Sequence, residues 1–250
     1  MKKRIICTGC WENRHIPIPI RSPLCLPFKL FGIVTSKMHP NLCTICAGII
    51  FKKKQAPIET TIMFAGLREY TSLSQNIDAS KMNDILYRFY DRCSESIWES
   101  DGIVNKFMGE AVLAIFNFPL NRPNHAAAAV EAAIKLEKRC ADLKKELELE
   151  EDVNIGVGVG INTGTVSMGE IGTSYKEFTA VGPVVNLASR IQGCAKSSEI
   201  AITESVYDKI KDTFPNLEKR VVPVKGVQEP VTIYIINANN MDSENQIKAV

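Results

Sequence analysis

From residue 58 onward, apolar positions recur with periods that define regular elements. Residues 58–65 form a β-rich apolar run after Pro57 and read as a strand. Met82, Ile85, Leu86, Phe89, Tyr90, Cys93 and Ile97 then fall at helical spacing, predicting a helix over about 79–100 that Gly102 stops. Two strands, 103–107 and 111–116, flank the tight turn Met108-Gly109-Glu110. A long helix with a charged outer face covers about 123–149, and 153–162 is the next strand. Beyond it come a strand (164–171), a helix (183–194), a short strand and helix (199–212) and two final strands (218–222 and 231–236).

The order from 58 to 162 is β-α-β-β-α-β. This predicts an α+β fold with a ferredoxin-like βαββαβ core, extended by the later strands and helices, with helices on one face of an antiparallel sheet. At 250 residues and 45% hydrophobic content the chain can bury a full core, and one large domain with a small module is the natural division. We place the module at 1–54, the large domain at 55–238 and a polar tail at 239–250.

Charge supports that division. Residues 1–55 hold ten Lys/Arg against one acid, Glu12, whereas the remainder carries 20 bases and 27 acids. A basic stretch suits an anionic membrane or nucleic acid, but basic residues also flank metal knuckles, and we adopt the latter, plainer reading. No span fits a membrane crossing. The run at 42–51 is too short, and 16–34 is interrupted by prolines, Arg21 and Lys29. The chain is therefore expected to be cytoplasmic, with no membrane span, no nucleic-acid partner and reduced cysteines.

Five of the eight cysteines lie in the first 46 residues. Cys7-x2-Cys10 and Cys43-x2-Cys46 are two CxxC pairs whose spacing suits one tetrahedral four-thiolate site, with His15, Cys25 and His39 as substitutes between them. Zinc is the first expectation; an iron–sulfur cluster or unligated structural cysteines are the others. Cys93, Cys140 and Cys194 sit in helical patterns and read as small packing residues.

The stretches VNKFMGEAVLAIF (104–116) and KEFTAVGPVVNLASRIQGCAK (176–196) resemble the core of a class III adenylyl/guanylyl cyclase catalytic domain, and the resemblance spans about 57–237. Such domains work as head-to-tail dimers. One subunit supplies two metal-bound carboxylates, and the other supplies base-reading and transition-state residues. The resemblance implies that Lys106 and Thr179 bind the purine. A lysine only donates and a threonine hydroxyl can accept, which matches the N1 acceptor and N6 donor of adenine and makes ATP the expected substrate. It further implies that Asn186 orients the ribose and that Arg190, four residues on along one helix face, stabilises charge on the triphosphate.

The metal-binding half departs from the family pattern. Where that pattern reads F-x-D-I-x-G-[FY]-T, this chain reads Phe64-Ala65-Gly66-Leu67-Arg68-Glu69-Tyr70-Thr71. Gly66 offers no oxygen at the first aspartate position, Leu67 falls at a substrate-binding position, and Glu69 replaces a glycine of the loop that wraps the triphosphate. Glu110 stands at the second aspartate position with one extra methylene, an awkward reach for octahedral Mg2+ or Mn2+. The surviving residues are those of one half of a paired cyclase. The expected function is an adenylate cyclase-like domain, making cyclic AMP and pyrophosphate from ATP, that needs a partner domain in a homo- or heterodimer. Two rivals stand beside it: a catalytically silent nucleotide-binding or regulatory pseudocyclase, and a weak homodimeric enzyme relying on Glu110 and one metal ion.

Overall fold

The computed structural model of the chain describes residues 3–46, 56–70, 73, 75, 77–147, 155–174 and 177–238. The expected boundary at 54/55 and the polar tail at 239–250 lie outside these residues. Strand β1 (Ala56–Leu67) leads into helix α3 (Ala79–Glu99), the hairpin β2 (Ile103–Met108) and β3 (Ala111–Phe116), helix α4 (His125–Cys140) and strand β4 (Val157–Ile171). This is the expected βαββαβ order. Helix α3 begins where its sequence allows: the Asp78 carboxylate accepts from the backbone N–H of Ser80 and Lys81, at 3.1 and 3.4 Å, filling orphan donors of the first turn.

The remaining elements are β5 (Glu177–Val181), α6 (Pro183–Cys194), β6 (Glu199–Thr203), α7 (Glu204–Ile210), β7 (Glu218–Val222) and β8 (Val231–Asn237). The sheet runs β2-β3-β1-β4-β6-β8-β7, with β5 paired to the far end of β4. Every pairing is antiparallel except β4 with β6.

Strand β5 has no counterpart in the sequence expectation, β1 is longer than the expected 58–65, and two larger boundaries differ. The strands expected at 153–162 and 164–171 are one strand, because the apparent turn Asn162-Thr163-Gly164 stays extended and pairs with Ile62, Thr61 and Thr60 of β1; the expected start at 153 lies outside the described residues. The long helix at 123–149 breaks after Cys140 and resumes as α5 (Leu143–Glu146), a break that lets Leu143 seat fully in the core.

Alternation along the strands gives the sheet two apolar faces. Met63, Ala65 and Leu67 face α3, α4 and α7, packing with Phe89, Ile97, Ile134 and Val206. Ile62 and Phe64 point the other way, towards Ala188 of α6 and towards the N-terminal segment. The core helices thus share one face as expected, while α6 and the N-terminal segment cover the second. Gly160 makes the α6 contact possible: a Cβ there would stand 2.4 Å from the Ala188 carbonyl and the Gln192 nitrogen.

The N-terminal segment carries two short helices, α1 (Thr8–Arg14) and α2 (Leu26–Leu30). Cys7, Cys10, Ile20, Leu42 and Cys43 are packed in the same apolar cluster as Ile62, Phe64, Leu113 and Ile115. Polar ties complete the docking. The Met38 carbonyl accepts from the Trp98 indole at 2.8 Å and from the Val104 N–H at 3.2 Å. Arg122 grips Glu12 with two nitrogens at 2.8 and 3.1 Å and reaches Asp101 at 2.9 Å.

Candidate active site and metal centre

The two carboxylate positions of the resemblance are brought together at the end of β1. Gly66 pairs with Ala111, and the next residue, Leu67, donates its N–H to the Glu110 carbonyl at 3.0 Å. The β2–β3 turn that holds Glu110 is braced by α3: Tyr90 donates to the Gly109 carbonyl and stacks on Phe107, with ring centroids 4.3 Å apart. The Leu67 side chain faces the core, so only its backbone borders the site. Glu69 adopts a left-handed conformation (φ 58°), which suits the glycine it replaces better than a side chain.

Among the described residues no carboxylate stands against Gly66 in place of the missing aspartate. The space in front of Gly66 is occupied by the side-chain amide of Gln192, whose Nε2 would lie 2.7 Å from a Cβ at position 66 and donates to the Gly158 carbonyl at 3.3 Å. Arg68, two residues on, donates to the carbonyls of Gln192 and Gly193 near the C-terminus of α6, each at 3.4 Å, a favourable place for a cation. The Gln192 amide thus borders Gly66, and the Arg68 guanidinium is held on the backbone of the same helix end. Gly66 brings no side-chain oxygen to this spot, and of the two carboxylate positions of the resemblance only Glu110 carries one.

The corner that the resemblance assigns to the purine lies where β2 meets β5. Lys106 Nζ is 2.8 Å from a carboxylate oxygen of Glu177, and Thr179 stands two residues further along the same side of β5. Asn105, beside Lys106, accepts from the Thr179 hydroxyl at 3.2 Å through its carbonyl oxygen. Its amide nitrogen donates to the Phe178 carbonyl at 3.0 Å, fixing which end of the amide faces Thr179. Lys106 and Thr179 therefore share one corner.

Helix α6 presents Asn186 and Arg190. Val185, Ala188 and Ile191 of this helix are buried and Asn186, Ser189 and Arg190 exposed, so the 3.6-residue period places both candidate side chains on the solvent side. Among the described residues neither side chain has a hydrogen bond or ion pair within the chain. The Arg190 guanidinium lies beside the β7–β8 turn, where a Cβ at Gly226 would stand 3.1 Å from Nη2.

The N-terminal cysteines converge on a separate centre. The sulfurs of Cys7, Cys10, Cys43 and Cys46 all lie within 4.8 Å of one another, with Cys7–Cys46 at 3.6 Å and Cys10 at 3.4 Å from both Cys43 and Cys46. A tetrahedron of thiolates around zinc, with bonds of about 2.3 Å, has sulfur–sulfur edges of about 3.8 Å. The N–H groups of Cys10 and Cys43 point at the Cys7 sulfur at 3.5 and 3.2 Å, as suits a charged thiolate. Without a cation, neighbouring thiols hold Cys43 down at about 2, while burial pushes Cys10 up to about 12. One negative charge is stabilised at the expense of the others, and a cation among the four sulfurs would allow all of them to be charged.

The substitutes are not part of this cluster. Cys25 is buried elsewhere and His15 is exposed at the end of α1. His39 is engaged at the docking surface, accepting from the Asn41 N–H at 3.0 Å and contacting the Trp98 carbonyl at 3.2 Å, with burial lowering its pKa to about 4. All eight cysteines are free.

Sequence reasoning missed Gln192, Arg68, Asn105 and Glu177. For Glu177 a signal existed: an acid two residues before Thr179 on a strand shares its face. Gln192 had none, because its contact with Gly66 joins elements far apart in the chain.

Residues 52–238 match the model of a family described as the adenylate and guanylate cyclase catalytic domain. An adenylate cyclase of Anabaena cylindrica is 32% identical over 188 residues, covering 71% of this chain and 36% of its own length. The terminal-differentiation-specific adenylate cyclase of Dictyostelium discoideum is 34% identical over 201 residues, covering 76% of this chain and 9% of its own. The crystal structure of the adenylyl cyclase CyaB from P. aeruginosa superimposes with a TM-score of 0.69 at 28% identity, covering 78% of this chain and 99% of that one. The chain belongs to the adenylate and guanylate cyclase catalytic-domain family, and its match takes in about a third or less of these curated relatives' own length. No described helix is long and apolar enough to cross a membrane.

Proposed function

We propose that this chain is the base-reading and charge-stabilising half of an adenylate cyclase, competent only when a partner domain supplies both metal-binding aspartates. The observation that carries this reading is the contrast between Gly66, faced by the Gln192 amide, and the exposed pair Asn186 and Arg190.

Carboxylates of such a partner domain would hold the Mg2+ or Mn2+ ions, which would supply charge neutralisation at the reacting phosphate. In the shared site Lys106 donates to adenine N1, steered by Glu177. The Thr179 hydroxyl hydrogen is engaged by Asn105, which leaves its oxygen to accept from the adenine N6 amino group and makes it a poor donor to guanine O6. This supports ATP over GTP. Asn186 orients the ribose, and the five-donor guanidinium of Arg190 stabilises the charge that builds on the triphosphate as the 3′-hydroxyl attacks the α-phosphate. Cys7, Cys10, Cys43 and Cys46 would hold a structural zinc ion, which would supply a cross-link that ties the two CxxC pairs together and fixes the module against the sheet.

A silent regulatory domain is the second reading, favoured by the Lys106–Glu177 ion pair, which already occupies the lysine before any base arrives. A cyclase assay of the purified chain with ATP or GTP and Mg2+ or Mn2+ tests the proposal. Little or no product is expected, because neither site of a homodimer has two aspartates. Vigorous cyclic AMP production would overturn it and show that Glu110 suffices. Binding of ATP by the silent protein separates the half-site reading from the regulatory one when followed by the complementation test below.

A further inference from the structure

We infer that the segment 22–32 of the N-terminal module is a membrane-docking knob that inserts apolar side chains between the headgroups of anionic lipids. Leu24, Leu26, Leu30 and Phe31 are 72, 63, 87 and 83% exposed, although they lie within eight residues of one another. Neighbours in a flat patch shade each other; exposures this high mean that the side chains project. Scattered apolar residues on a surface need no explanation, but four large ones on one projecting turn do.

The knob is built rather than frayed. Cys25 is buried beneath it, and its return is closed by backbone bonds from Gly32 to the Lys29 carbonyl at 2.9 Å and from Ile33 to the Phe28 carbonyl at 3.0 Å. The Thr44 hydroxyl then donates to the Gly32 carbonyl at 2.8 Å. The apolar tips are therefore carried on a turn that is closed by its own hydrogen bonds.

Charge selects the occupant. The described residues 3–46 carry six Lys/Arg and one acid, and that acid, Glu12, is taken up by Arg122 of the cyclase unit. Lys29 sits among the four apolar tips and is exposed, as is Lys37. A lysine in this position lays its methylenes along the apolar surface and sends its ammonium to a phosphate or carboxylate headgroup. A second copy meeting knob to knob would set like charges against each other. A bilayer with anionic lipid satisfies both halves of the surface: the acyl region takes Leu and Phe, and the headgroups take Lys. Such docking is peripheral and needs no membrane-spanning helix.

Co-sedimentation of the full chain with vesicles tests this. Vesicles of phosphatidylcholine mixed with phosphatidylserine should carry the protein down, vesicles of phosphatidylcholine alone should carry far less, and binding should weaken as salt is raised. The Leu30→Glu/Phe31→Glu double variant should lose binding by at least about tenfold, as should Leu24→Glu, with the metal content of each variant unchanged to show that the module remains folded. Lys29→Glu should reduce binding to the anionic vesicles selectively. No vesicle binding, equal binding to both lipid compositions, or binding that survives the double variant would each overturn the proposal. So would a wild-type chain that ignores vesicles but sediments as a dimer which Leu30→Glu/Phe31→Glu converts to monomer, since the knob would then be a contact between copies.

Discussion

The side-chain amide of Gln192 lies so close to Gly66 that a Cβ at position 66 would stand 2.7 Å from its Nε2. The amide end can swing aside, giving up its bond to Gly158 at a cost of about 1 kcal/mol, so Gly66→Ala should change stability by about 1 kcal/mol or less. Gly160→Ala is the contrasting case, because the obstacle is helix backbone at 2.4 Å, which cannot rotate away. It should cost about 3 kcal/mol or more. Denaturant unfolding of the two variants checks this, and equal effects would contradict the close approach of α6 to β4.

Restoring the metal half should need three changes. Gly66→Asp with Glu110→Asp returns two carboxylates, but the first still meets the Gln192 amide. Adding Gln192→Ala should raise any Mg2+-dependent cyclase activity of the double variant by roughly tenfold, about 1.4 kcal/mol in the barrier. Equal rates for the double and triple variants would show that Gln192 does not obstruct the site.

Nucleotide choice should depend on Asn105, a residue that touches the base only through Thr179. Asn105→Ala removes the nearer acceptor of the Thr179 hydroxyl and leaves only the Ala180 carbonyl at 3.4 Å, a weak hold from which the hydroxyl can turn to guanine O6. The preference for ATP over GTP, read by titration calorimetry, should fall by roughly tenfold, the equivalent of about one hydrogen bond. An unchanged ratio would remove Asn105 from base selection.

Glu137 makes stability depend on pH. Its side chain is 6% exposed in α4 with one carboxylate oxygen unpartnered, and burial raises its pKa from 4.5 to about 8. The folded state therefore holds the proton more tightly than the unfolded chain does. Stability is fully present below about 4.5 and is lost as the pH rises towards 8. Glu137→Gln should be more stable than the parent above pH 8, with the gap closing as the pH is lowered towards 4.5. Unfolding midpoints measured across that range test the sign; a gap that widens on acidification would contradict it.

The four cysteines should hold about one zinc ion per chain, released by Cys7→Ser or Cys43→Ser and accompanied by a lower unfolding midpoint. Metal analysis that finds neither zinc nor iron would return them to ordinary packing residues.

How much of this was legible in the sequence follows from which contacts are local. The strand at 58–65 and the helix from 79 carry their own period, so β1 and α3 could be read directly. Strand β4 was split because Asn162-Thr163-Gly164 has turn composition, and only pairing with β1 keeps it extended. The two CxxC pairs announced a common centre, but the meeting of Cys7 with Cys46 depends on a proline-rich path without periodicity. Asn186 and Arg190 share a helix face by spacing alone. Gln192 against Gly66, Glu177 against Lys106 and Asn105 against Thr179 are contacts between elements distant in the chain, and no local pattern encodes them.

The most direct test of the half-site is complementation. This chain is mixed with a cyclase domain that keeps both metal-binding aspartates but has lost its own transition-state arginine, and cyclic AMP is measured with Mg2+ and ATP. Positioning and charge stabilisation supply nearly all of phosphoryl-transfer catalysis, so a complete set split across two chains should work. We predict activity absent from either protein alone, abolished by Arg190→Ala in this chain and little affected by Gly66→Ala. A mixture that forms heterodimers yet stays silent, or a gain that survives Arg190→Ala, would contradict the account.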